Sequence, residues 1–434
     1  MTKINIREIA LLSIIEIMEK GKMSHLVLAQ VLKKYQYLEK QDRAFLSRLV
    51  EGTIERIITL DYILNQFSSV PTEKMKPVIR NILRLSLYQI LYMDGVPESA
   101  ACNEAVKLAE KKGFKNLKGF VNGILRTIER RKDSIQYPDE KKEGTWYLSV
   151  FYSTPEWIIK QWIEQYGIEK ARKMLEVSYK EERGISVRCN IEKRTKEEIR
   201  QMLEKEGVVV EECSYPDYAL RISGYDYLEG LEAFREGFIS VQDINSMMAA
   251  EKCGVKKGDF VLDVCAAPGG KSIHIAEKLN STGHVEARDL SKNKVNFIQE
   301  NIERSGLKNI EAVVQDALVL TEKDENRADI VIADLPCSGL GVIGKKNDLK
   351  YKMTEETQKE LKQLQQKILS VVWRYVKKGG ILFYSTCTVN KKENEENTEW
   401  FLKEYPFELE ESRTFLQGID DGDGFYFARF RKKE

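Results

Sequence analysis

The sequence predicts a multidomain protein in which an all-α N-terminal domain and a small α+β linker domain precede a C-terminal α/β domain. Three observations support this prediction. The chain has 434 residues, more than one ordinary hydrophobic core accommodates. Residues 1–135 carry apolar side chains at helical spacing, whereas short apolar strands alternate with helical stretches after residue 237. The expected domains are residues 1–140, 150–236 and 237–434.

The N-terminal domain is expected to consist of one helix after another. Its apolar residues recur every three or four positions in residues 8–18, 44–65, 78–93 and 103–129. The polar stretch SIQYPDEKKEGTWY, residues 134–147, predicts a linker after these helices. Charged residues interrupt the opening segment, and no apolar run is long enough to cross a bilayer. We therefore expect a soluble protein without a membrane partner, and seven cysteines without a disulfide framework predict a reducing cytoplasm.

Charge is unevenly distributed along the chain. Residues 1–150 contain 25 Lys and Arg against 18 Asp and Glu, although the whole chain carries a net charge of only +1. Most of this excess lies in residues 107–132, which hold nine basic and two acidic side chains. Such a surface attracts polyanions through counterion release. A charge run is also typical of an ordinary solvated helix face.

The middle of the chain mixes the two kinds of pattern. Residues 155–166, 168–179 and 196–205 predict helices, whereas GISVRCNIE (184–192) and YALRIS (218–223) predict strands. These elements form the expected α+β linker domain.

The C-terminal domain alternates strands with helices. Strands are predicted at 259–264, 284–289, 310–317, 329–334 and 380–385, and helices at 271–279, 291–305 and 357–377. Strands that alternate with helices predict right-handed crossovers and a parallel sheet covered on both faces. Ligands of such sheets bind beyond the carboxyl ends of the strands. Each motif considered next lies at such an end.

The segment VLDVCAAPGGKS, residues 261–272, joins the first of these strands to a helix. Gly269 and Gly270 permit a close approach of the backbone to a ligand, and the start of the helix presents free N–H groups. The segment is neither a GxGxxG loop nor a Walker loop, because Cys265 stands where a Walker loop requires glycine. A polar ligand without a pyrophosphate is therefore expected.

Aspartates end four successive strands, namely Asp263, Asp289, Asp316 and Asp334. A carboxylate after the second strand is suited to ribose hydroxyls, and Asp316 is suited to an adenine amino group. S-adenosylmethionine has both of these parts and no pyrophosphate, so we expect it as the cofactor. A single strand-end aspartate often only caps the next helix, but four in register favour a ligand site.

Two cysteines follow neighbouring strands, Cys337 in ADLPCSG and Cys387 in YSTCTVN. Both are expected to overhang the crevice that Asp334 borders. A lone cysteine is usually a small buried hydrophobe, which suits Cys102 and Cys253 better than a strand-end turn. Seven cysteines without a CxxC pair, and three histidines without ligand spacing, predict no metal site. The residues alone do not decide which of the two thiols attacks a substrate.

These motifs resemble those of the RNA cytosine-C5 methyltransferases, also called the NOL1/NOP2/Sun family. The resemblance covers residues 150–434 and includes FISVQDINS (238–246) and DGDGFYFARF (421–430), the latter as the closing strand. Residues 96–130 resemble the helical RNA-binding fold of the transcription factor NusB. The combination is similar to the bacterial branch of the family that acts on 16S ribosomal RNA.

The resemblance implies a NusB-like N-terminal domain and a Rossmann-like, S-adenosylmethionine-dependent methyltransferase domain. It assigns to Cys387 the attack on carbon 6 of cytosine, to Cys337 the release of the adduct, and to Asp334 an interaction with N3. The implied cofactor-binding residues are Cys265, Ala266, Ala267, Pro268, Gly269, Gly270, Lys271, Asp289, Asp316 and Asp334.

The same resemblance implies roles for two further segments. Arg188 and Asn190 resemble an RNA-contacting strand, with simple exposure as the alternative. Glu393, Asn394 and Glu395 resemble a segment that braces the loop of the nucleophile.

The expected partner is 16S ribosomal RNA, unassembled or in a partly assembled small subunit. A transfer RNA substrate remains an alternative, as does an RNA-binding or antitermination factor without catalysis. The intact Cys337, Cys387, Asp334 and cofactor loop argue against the second alternative.

Overall fold

A computed structural model describes residues 4–177 and 184–434 of the chain. These residues form two compact units. A helical unit contains residues 4–177 and Ile343–Lys352, and a sheet unit contains residues 184–342 and 353–434. The last two positions of the helix expected at 168–179 lie outside the described residues.

Among residues 4–177 the helical unit has ten α-helices. They are α1 (Ile6–Met18), α2 (Ser24–Lys34), α3 (Lys40–Glu55), α4 (Ile57–Phe67), α5 (Pro77–Tyr92), α6 (Glu98–Lys111), α7 (Lys118–Arg130), α8 (Glu140–Phe151), α9 (Glu156–Tyr166) and α10 (Ile168–Val177). Helix α5 is central, because it packs against α1, α3, α4, α6 and α7. It accordingly buries Ile82, Leu83, Leu85 and Leu87, which do not share one face.

The predicted helical character of the N-terminal part is confirmed, with breaks that apolar periodicity does not reveal. The pattern across 44–65 is divided at Arg56, between α3 and α4. The linker predicted at 134–147 is wrong in its second half, where α8 begins at Glu140 after the N-cap Asp139. The charged first turn of α8 gives this helix the composition of a linker.

The sheet unit begins with a four-stranded antiparallel sheet. Its strands are β1 (Ile185–Cys189), β2 (Val209–Glu212), β3 (Ala219–Ser223) and β4 (Ile239–Val241), in the order β2-β3-β1-β4. Helices α11 (Lys196–Lys205) and α12 (Glu232–Arg235) lie between these strands in the chain. Sequence patterns miss β2, which is mostly exposed, and β4, which is three residues long. Helices α9 and α10, expected in the α+β domain, fall within the helical unit.

A second, seven-stranded sheet follows α13 (Ile244–Lys252). Its strands are β5 (Phe260–Asp263), β6 (His284–Asp289), β7 (Ile310–Val314), β8 (Ala328–Asp334), β9 (Val376–Thr386), β10 (Phe407–Phe415) and β11 (Phe425–Lys432). The remaining helices of this unit are α14 (Gly270–Lys278), α15 (Lys292–Ser305), α17 (Glu355–Val372) and α18 (Glu395–Glu404), whereas α16 (Leu349–Lys352) belongs to the helical unit.

The strand order is β10-β11-β9-β8-β5-β6-β7. Strands β5 to β9 run parallel, as predicted, whereas β10 and β11 pair antiparallel at one edge and make the sheet mixed. Apolar clusters cover both faces of the sheet. Strand β5 lies between β6 and β8, so the order of the chain reverses at β5. This reversal opens a crevice at the carboxyl ends of the central strands.

Candidate active site

The loop after β5 leaves room for a ligand beside the start of α14. Gly269 has a φ of +103°, which favours glycine, and α14 begins at the next residue. A Cβ atom at Gly270 would meet no other atom within 4 Å. The first-turn N–H groups of a helix have no partner within the helix. An open space beside polar N–H groups fits the polar part of a cofactor.

Asp263, at the end of β5, forms hydrogen bonds with other groups of the protein. One carboxylate oxygen accepts a hydrogen bond from Ser272 Oγ at 2.6 Å, and the other accepts from the amide of Cys265 at 3.4 Å. Burial raises the pKa of Asp263 to about 7, and the nearby charge of Asp334 acts in the same direction. Asp263 therefore ties the cofactor loop to its strand.

Asp289 and Asp316 border the same crevice after β6 and β7. Asp289 accepts hydrogen bonds from the amides of Ala267 at 3.0 Å and Leu290 at 2.8 Å, and its side chain also pairs with Lys294 at 3.1 Å. Asp316 is half-buried and accepts from the amide of Leu318 at 2.9 Å. A carboxylate with two oxygens retains acceptor capacity beyond these contacts.

Two apolar side chains beside these carboxylates escaped the sequence analysis. Leu290 follows Asp289 directly and is 62% exposed, and Leu318 lies two residues after Asp316 and is 41% exposed. An exposed leucine alone needs no explanation. An apolar side chain one or two residues after a strand-end aspartate is a local signal that sequence reasoning can use. Together they provide apolar surface next to polar groups, as small-molecule sites require.

Cys337 and Cys387 lie together at the ends of β8 and β9. Their sulfur atoms are 3.3 Å apart, and both side chains are partly exposed. The register explains this proximity, because Asp334 pairs with Ser385 in the adjacent parallel strands. The two thiols therefore lie side by side at one edge of the sheet, as expected for residues that follow neighbouring strands.

Lys271 and Asp334 form an ion pair at the same edge. Lys271 Nζ lies 2.7 Å from Asp334 Oδ2, and the hydroxyl of Ser385 donates to Oδ1 at 2.8 Å. Burial opposes the charge of Lys271, but the Asp334 carboxylate and the charge at Cys387 outweigh it and raise the pKa of Lys271. The pair therefore places an ammonium group and a carboxylate beside the thiols.

The surroundings of Cys337 and Cys265 raise the pKa of both thiols. The hydrogen bond with Cys387, burial and the charges of Cys387 and Glu393 all raise the pKa of Cys337. Burial, and then the charges of neighbouring carboxylates, also raise the pKa of Cys265 in the cofactor loop. Cys337 and Cys265 therefore hold their protons firmly, and Cys265 acts as a wall of the crevice.

Arg188 and Asn190, at and just beyond the end of β1, are not exposed, contrary to one expectation. Arg188 is 1% exposed, and its guanidinium donates to both carboxylate oxygens of Glu277 on α14 at 2.9 and 3.0 Å. It also donates to Gln242 and to the carbonyl of Gly270, the latter at 3.1 Å. Asn190 donates to Glu277 at 3.3 Å. These side chains hold α14 and the cofactor loop in place instead of facing solvent.

The basic segment 107–132 occupies α6, α7 and the turn between them. Ion pairs within the helical unit engage six of its nine basic side chains: Lys107, Lys111, Lys112, Lys118, Arg126 and Lys132. Much of its positive charge is thus balanced locally, as the solvated-face interpretation expects. Lys115, Arg130 and Arg131 are the remaining basic side chains of the segment.

Neither a membrane segment nor a metal centre is found in the described part of the chain. No helix within residues 4–177 and 184–434 combines the length and the apolar character that crossing a membrane requires. The same residues contain no group of three or more His, Cys, Asp and Glu side chains that could hold a metal ion.

Three family models match consecutive parts of the chain. The model described as 16S rRNA methyltransferase RsmB/F matches residues 253–431, and that of the NusB family matches residues 4–130. The ferredoxin-like domain of RsmF/B-like methyltransferases matches residues 154–226. Together these models confirm the predicted helical, α+β and Rossmann-like parts.

Similarity to whole proteins extends over the entire chain. A probable ribosomal RNA small subunit methyltransferase B of Bacillus subtilis is 37% identical and aligns over 100% of both chains. A protein of the same description from Synechocystis is 31% identical over 99% of this chain and 100% of its own.

Solved structures show the same arrangement of elements. The crystal structure of PH0851 has a TM-score of 0.85 at 27% identity and covers 99% of both chains. NSun6 from Pyrococcus horikoshii, with a TM-score of 0.59 at 23% identity, covers 64% of this chain and 98% of its own, and shows the fold alone. The protein is an S-adenosylmethionine-dependent RNA methyltransferase, and it belongs to the 16S rRNA methyltransferase RsmB/F family.

Proposed function

We propose that this protein methylates carbon 5 of a cytosine in 16S ribosomal RNA through a covalent bond between Cys387 and carbon 6. The observation that carries the proposal is the pair of partly exposed thiols, 3.3 Å apart, beside the Lys271–Asp334 ion pair. Carbon 5 of cytosine is a weak nucleophile. An enzyme that methylates it needs a sulfur to activate the ring and a second group to release it.

The crevice between the cofactor loop and the strand-end carboxylates would hold S-adenosylmethionine, which supplies an electrophilic methyl group when bound. We assign the ribose hydroxyls to Asp289 and the adenine amino group to Asp316. Leu290 and Leu318 would pack against the adenine. The residues from Cys265 to Lys271, together with Asp334, would surround the methionine part. This assignment rests on the open space at Gly270 and on the exposed leucines.

In the first step, the thiol proton of Cys387 passes by way of the Asp334 carboxylate to N3, and the electron pair of the Cys387 sulfur forms the S–C6 bond. The Cys337 thiol, which retains its proton, donates a hydrogen bond to Cys387 and stabilises its thiolate form. Addition moves electron density from the C5–C6 double bond to carbon 5 and N3. The Lys271–Asp334 pair holds a proton at N3 and thereby limits the build-up of negative charge on the ring.

In the release step, carbon 5 carries both the new methyl group and its original proton. Cys337 passes its S–H proton to the departing Cys387 sulfur and takes the proton from carbon 5. The C5–H electron pair forms the C5–C6 double bond again, and the electrons of the C6–S bond leave with Cys387. The distance of 3.3 Å between the two sulfurs permits this direct exchange.

The two thiols predict opposite mutant phenotypes. Cys387→Ala abolishes both methylation and any covalent RNA adduct. Cys337→Ala still permits the attack but blocks release, so a protein–RNA adduct accumulates that denaturant does not separate. Denaturing gels with labelled RNA measure both outcomes.

Cys213→Ala, at a thiol buried outside the crevice, is the matched control and should behave as the wild type. The opposite pattern for Cys337→Ala and Cys387→Ala would exchange their roles. An adduct in neither variant would refute covalent catalysis.

The proposed substrate is 16S ribosomal RNA that is not fully assembled, since a paired and stacked base hides carbon 6 from a thiol. Methylcytosine should form on free 16S ribosomal RNA and not on transfer RNA or mature small subunits. If transfer RNA alone is methylated, the substrate is transfer RNA and not 16S ribosomal RNA. Binding without methylation of any of these RNAs would favour a factor without catalysis.

A further inference from the structure

Glu393 is a fully buried carboxylate between β9 and α18. Its Oε2 atom accepts hydrogen bonds from the amide of Ser338 at 2.9 Å and from Gln365 Nε2 at 3.0 Å. Its Oε1 atom accepts from the hydroxyl of Ser338 and from Asn390 Nδ2, the latter at 3.0 Å. Four donors thus converge on one carboxylate.

These donors come from different segments around the thiols. Ser338 follows Cys337 directly, and Asn390 lies three residues after Cys387. Gln365, on α17, also donates to the carbonyl of Pro336 at 2.9 Å. The carboxylate of Glu393 therefore holds the Cys337 loop from both sides of the thiol and ties it to the Cys387 loop.

The backbone of Glu393 is held as firmly as its side chain. Its carbonyl accepts hydrogen bonds from the hydroxyl of Tyr384 and from Asn397 Nδ2, the latter at 3.2 Å. Tyr384 lies within β9, which ends one residue before Cys387. The position of Glu393 is thus set by the same strand that positions the nucleophile.

The four hydrogen bonds to the Glu393 carboxylate come from the neutral residues Ser338, Gln365 and Asn390. Its charge is stabilised by these neutral donors, as in other buried carboxylates with several hydrogen bonds. An unbalanced buried charge acts over a longer range than a paired one, since the interior screens charge weakly. Cys337 lies next to the Ser338 amide and hydroxyl that bind Glu393.

We propose that Glu393 is a positioning residue that holds Cys337 at reacting distance from Cys387 and keeps its proton available for release of the RNA adduct. This inference rests on the proposed function. It makes Glu393 more important for release than for attack, because Cys387 itself is placed by β9. Glu393 would contribute to release in two ways, through the geometry of its four hydrogen bonds and through its negative charge.

The test is the rate at which a preformed adduct decays. Glu393→Gln removes the charge and turns an N–H group toward converging donors. We expect S-adenosylmethionine binding and adduct formation close to those of the wild type, and release slower by about 10- to 100-fold. Without the carboxylate charge Cys337 loses its proton more easily, so the decline of the release rate at alkaline pH should begin at lower pH.

Glu396→Gln is the matched control, because Glu396 is exposed and pairs with Lys362 on the surface. It should leave the release rate and its pH profile unchanged. Glu393→Asp keeps the charge but shortens the side chain. It should slow release while keeping the wild-type pH profile, so a shifted profile in Glu393→Gln alone would report the charge, which a purely structural role does not predict.

Ser338→Ala provides a second, milder variant, since it removes one donor and leaves the backbone amide in place. It should slow release in the same direction by a smaller factor. Wild-type release and pH profiles in both Glu393→Gln and Ser338→Ala would overturn the inference. If Glu393→Gln does not fold, a wild-type release rate in Ser338→Ala overturns it alone. Absence of any adduct in Cys337→Ala would instead refute the proposed function, and this inference with it.

Discussion

Asp263 and Asp334 show how burial and partners give two aspartates at one sheet edge different properties. Asp334 faces the ammonium group of Lys271 at 2.7 Å. Asp263 is 1% exposed, and it accepts hydrogen bonds from the neutral donors Ser272 and Cys265. An ionised carboxyl group is costly in such a place. The residue type alone therefore does not determine the charge at a strand end.

This difference predicts a pH dependence of stability. Folding raises the pKa of Asp263 from 3.8 to about 7 because the side chain is desolvated. The folded state binds this proton more tightly than the unfolded chain. The resulting stabilisation is complete below about pH 4 and is lost as the pH rises through about 7. Urea unfolding should show that the contribution of Asp263 to the free energy of unfolding decreases by at most about 4 kcal/mol over that pH range.

Asp263→Asn should remove this part of the pH dependence, because an amide does not titrate. The exposed Asp217 provides the control, since Asp217→Asn should leave the dependence as in the wild type. Equal slopes for Asp263→Asn and the wild type would show that Asp263 stays ionised in the folded protein.

The sequence identifies reactive residue types well, but not their surroundings. Cys337, Cys387 and Asp334 are recognisable because parallel strands bring their carboxyl ends to one edge. Arg188 has the appearance of an exposed cation, and only the three-dimensional structure reveals its partner Glu277, 89 positions later. Pairing across such distances has no local sequence signal.

At the level of elements, strands that are buried on both faces are the easiest to predict. Strands β5, β8 and β9 contain continuous apolar runs, as covered parallel strands do. Strand β10 is missed, because it lies at an edge and exposes most of its residues. Edge strands with charged side chains resemble loops in composition.

Gly341 shows how closely three segments of the sheet unit meet. Its amide donates to the carbonyl of Cys387 at 3.1 Å, and its carbonyl accepts from the amide of Gly424 at 2.8 Å. A Cβ atom at Gly341 would lie 2.3 Å from the carbonyl oxygen of Gly424 and 2.8 Å from that of Cys387. Backbone atoms at such distances must move.

Gly341→Ala should therefore displace the Cys387 loop and lower the methyl-transfer rate by about 100-fold. The control is Gly123→Ala on α7, where a Cβ atom would meet nothing within 4 Å. Single-turnover rates measure the effect, and thermal unfolding shows whether the variant remains folded. An unchanged rate in Gly341→Ala would mean that the segments of Gly341, Cys387 and Gly424 can move apart without affecting methyl transfer.

At the scale of the whole molecule, the helical unit is assembled from two distant parts of the chain. Within it, Asp348 accepts hydrogen bonds from the amide and hydroxyl of Ser24, and it pairs with Lys352 at 2.6 Å. Lys350 is buried and donates to the carbonyl of Glu55 at 2.9 Å. No sequence pattern predicts that residues beyond 340 complete a fold that begins at the N-terminus.

Asp348→Ala should loosen the helical unit, because it leaves two donors of Ser24 without their acceptor. The expected loss is about 1 to 3 kcal/mol of local stability. Hydrogen–deuterium exchange of the α2 amides in the full chain should accelerate accordingly. Asp42→Ala, at an exposed position of α3, is the control. Equal exchange in both variants would show that residues 343–352 add little to the unit.

The helical unit consists of two separate parts of the chain, and this affects its folding during synthesis. When residue 177 leaves the ribosome, the N-terminal helices still lack Ile343–Lys352, which belong to their unit. At ordinary translation speeds of about 5–20 residues per second, the end of that segment appears roughly 9 to 35 s later. Residues 4–177 therefore complete their unit only late in synthesis, and nascent chains interrupted in that interval should be sensitive to proteolysis.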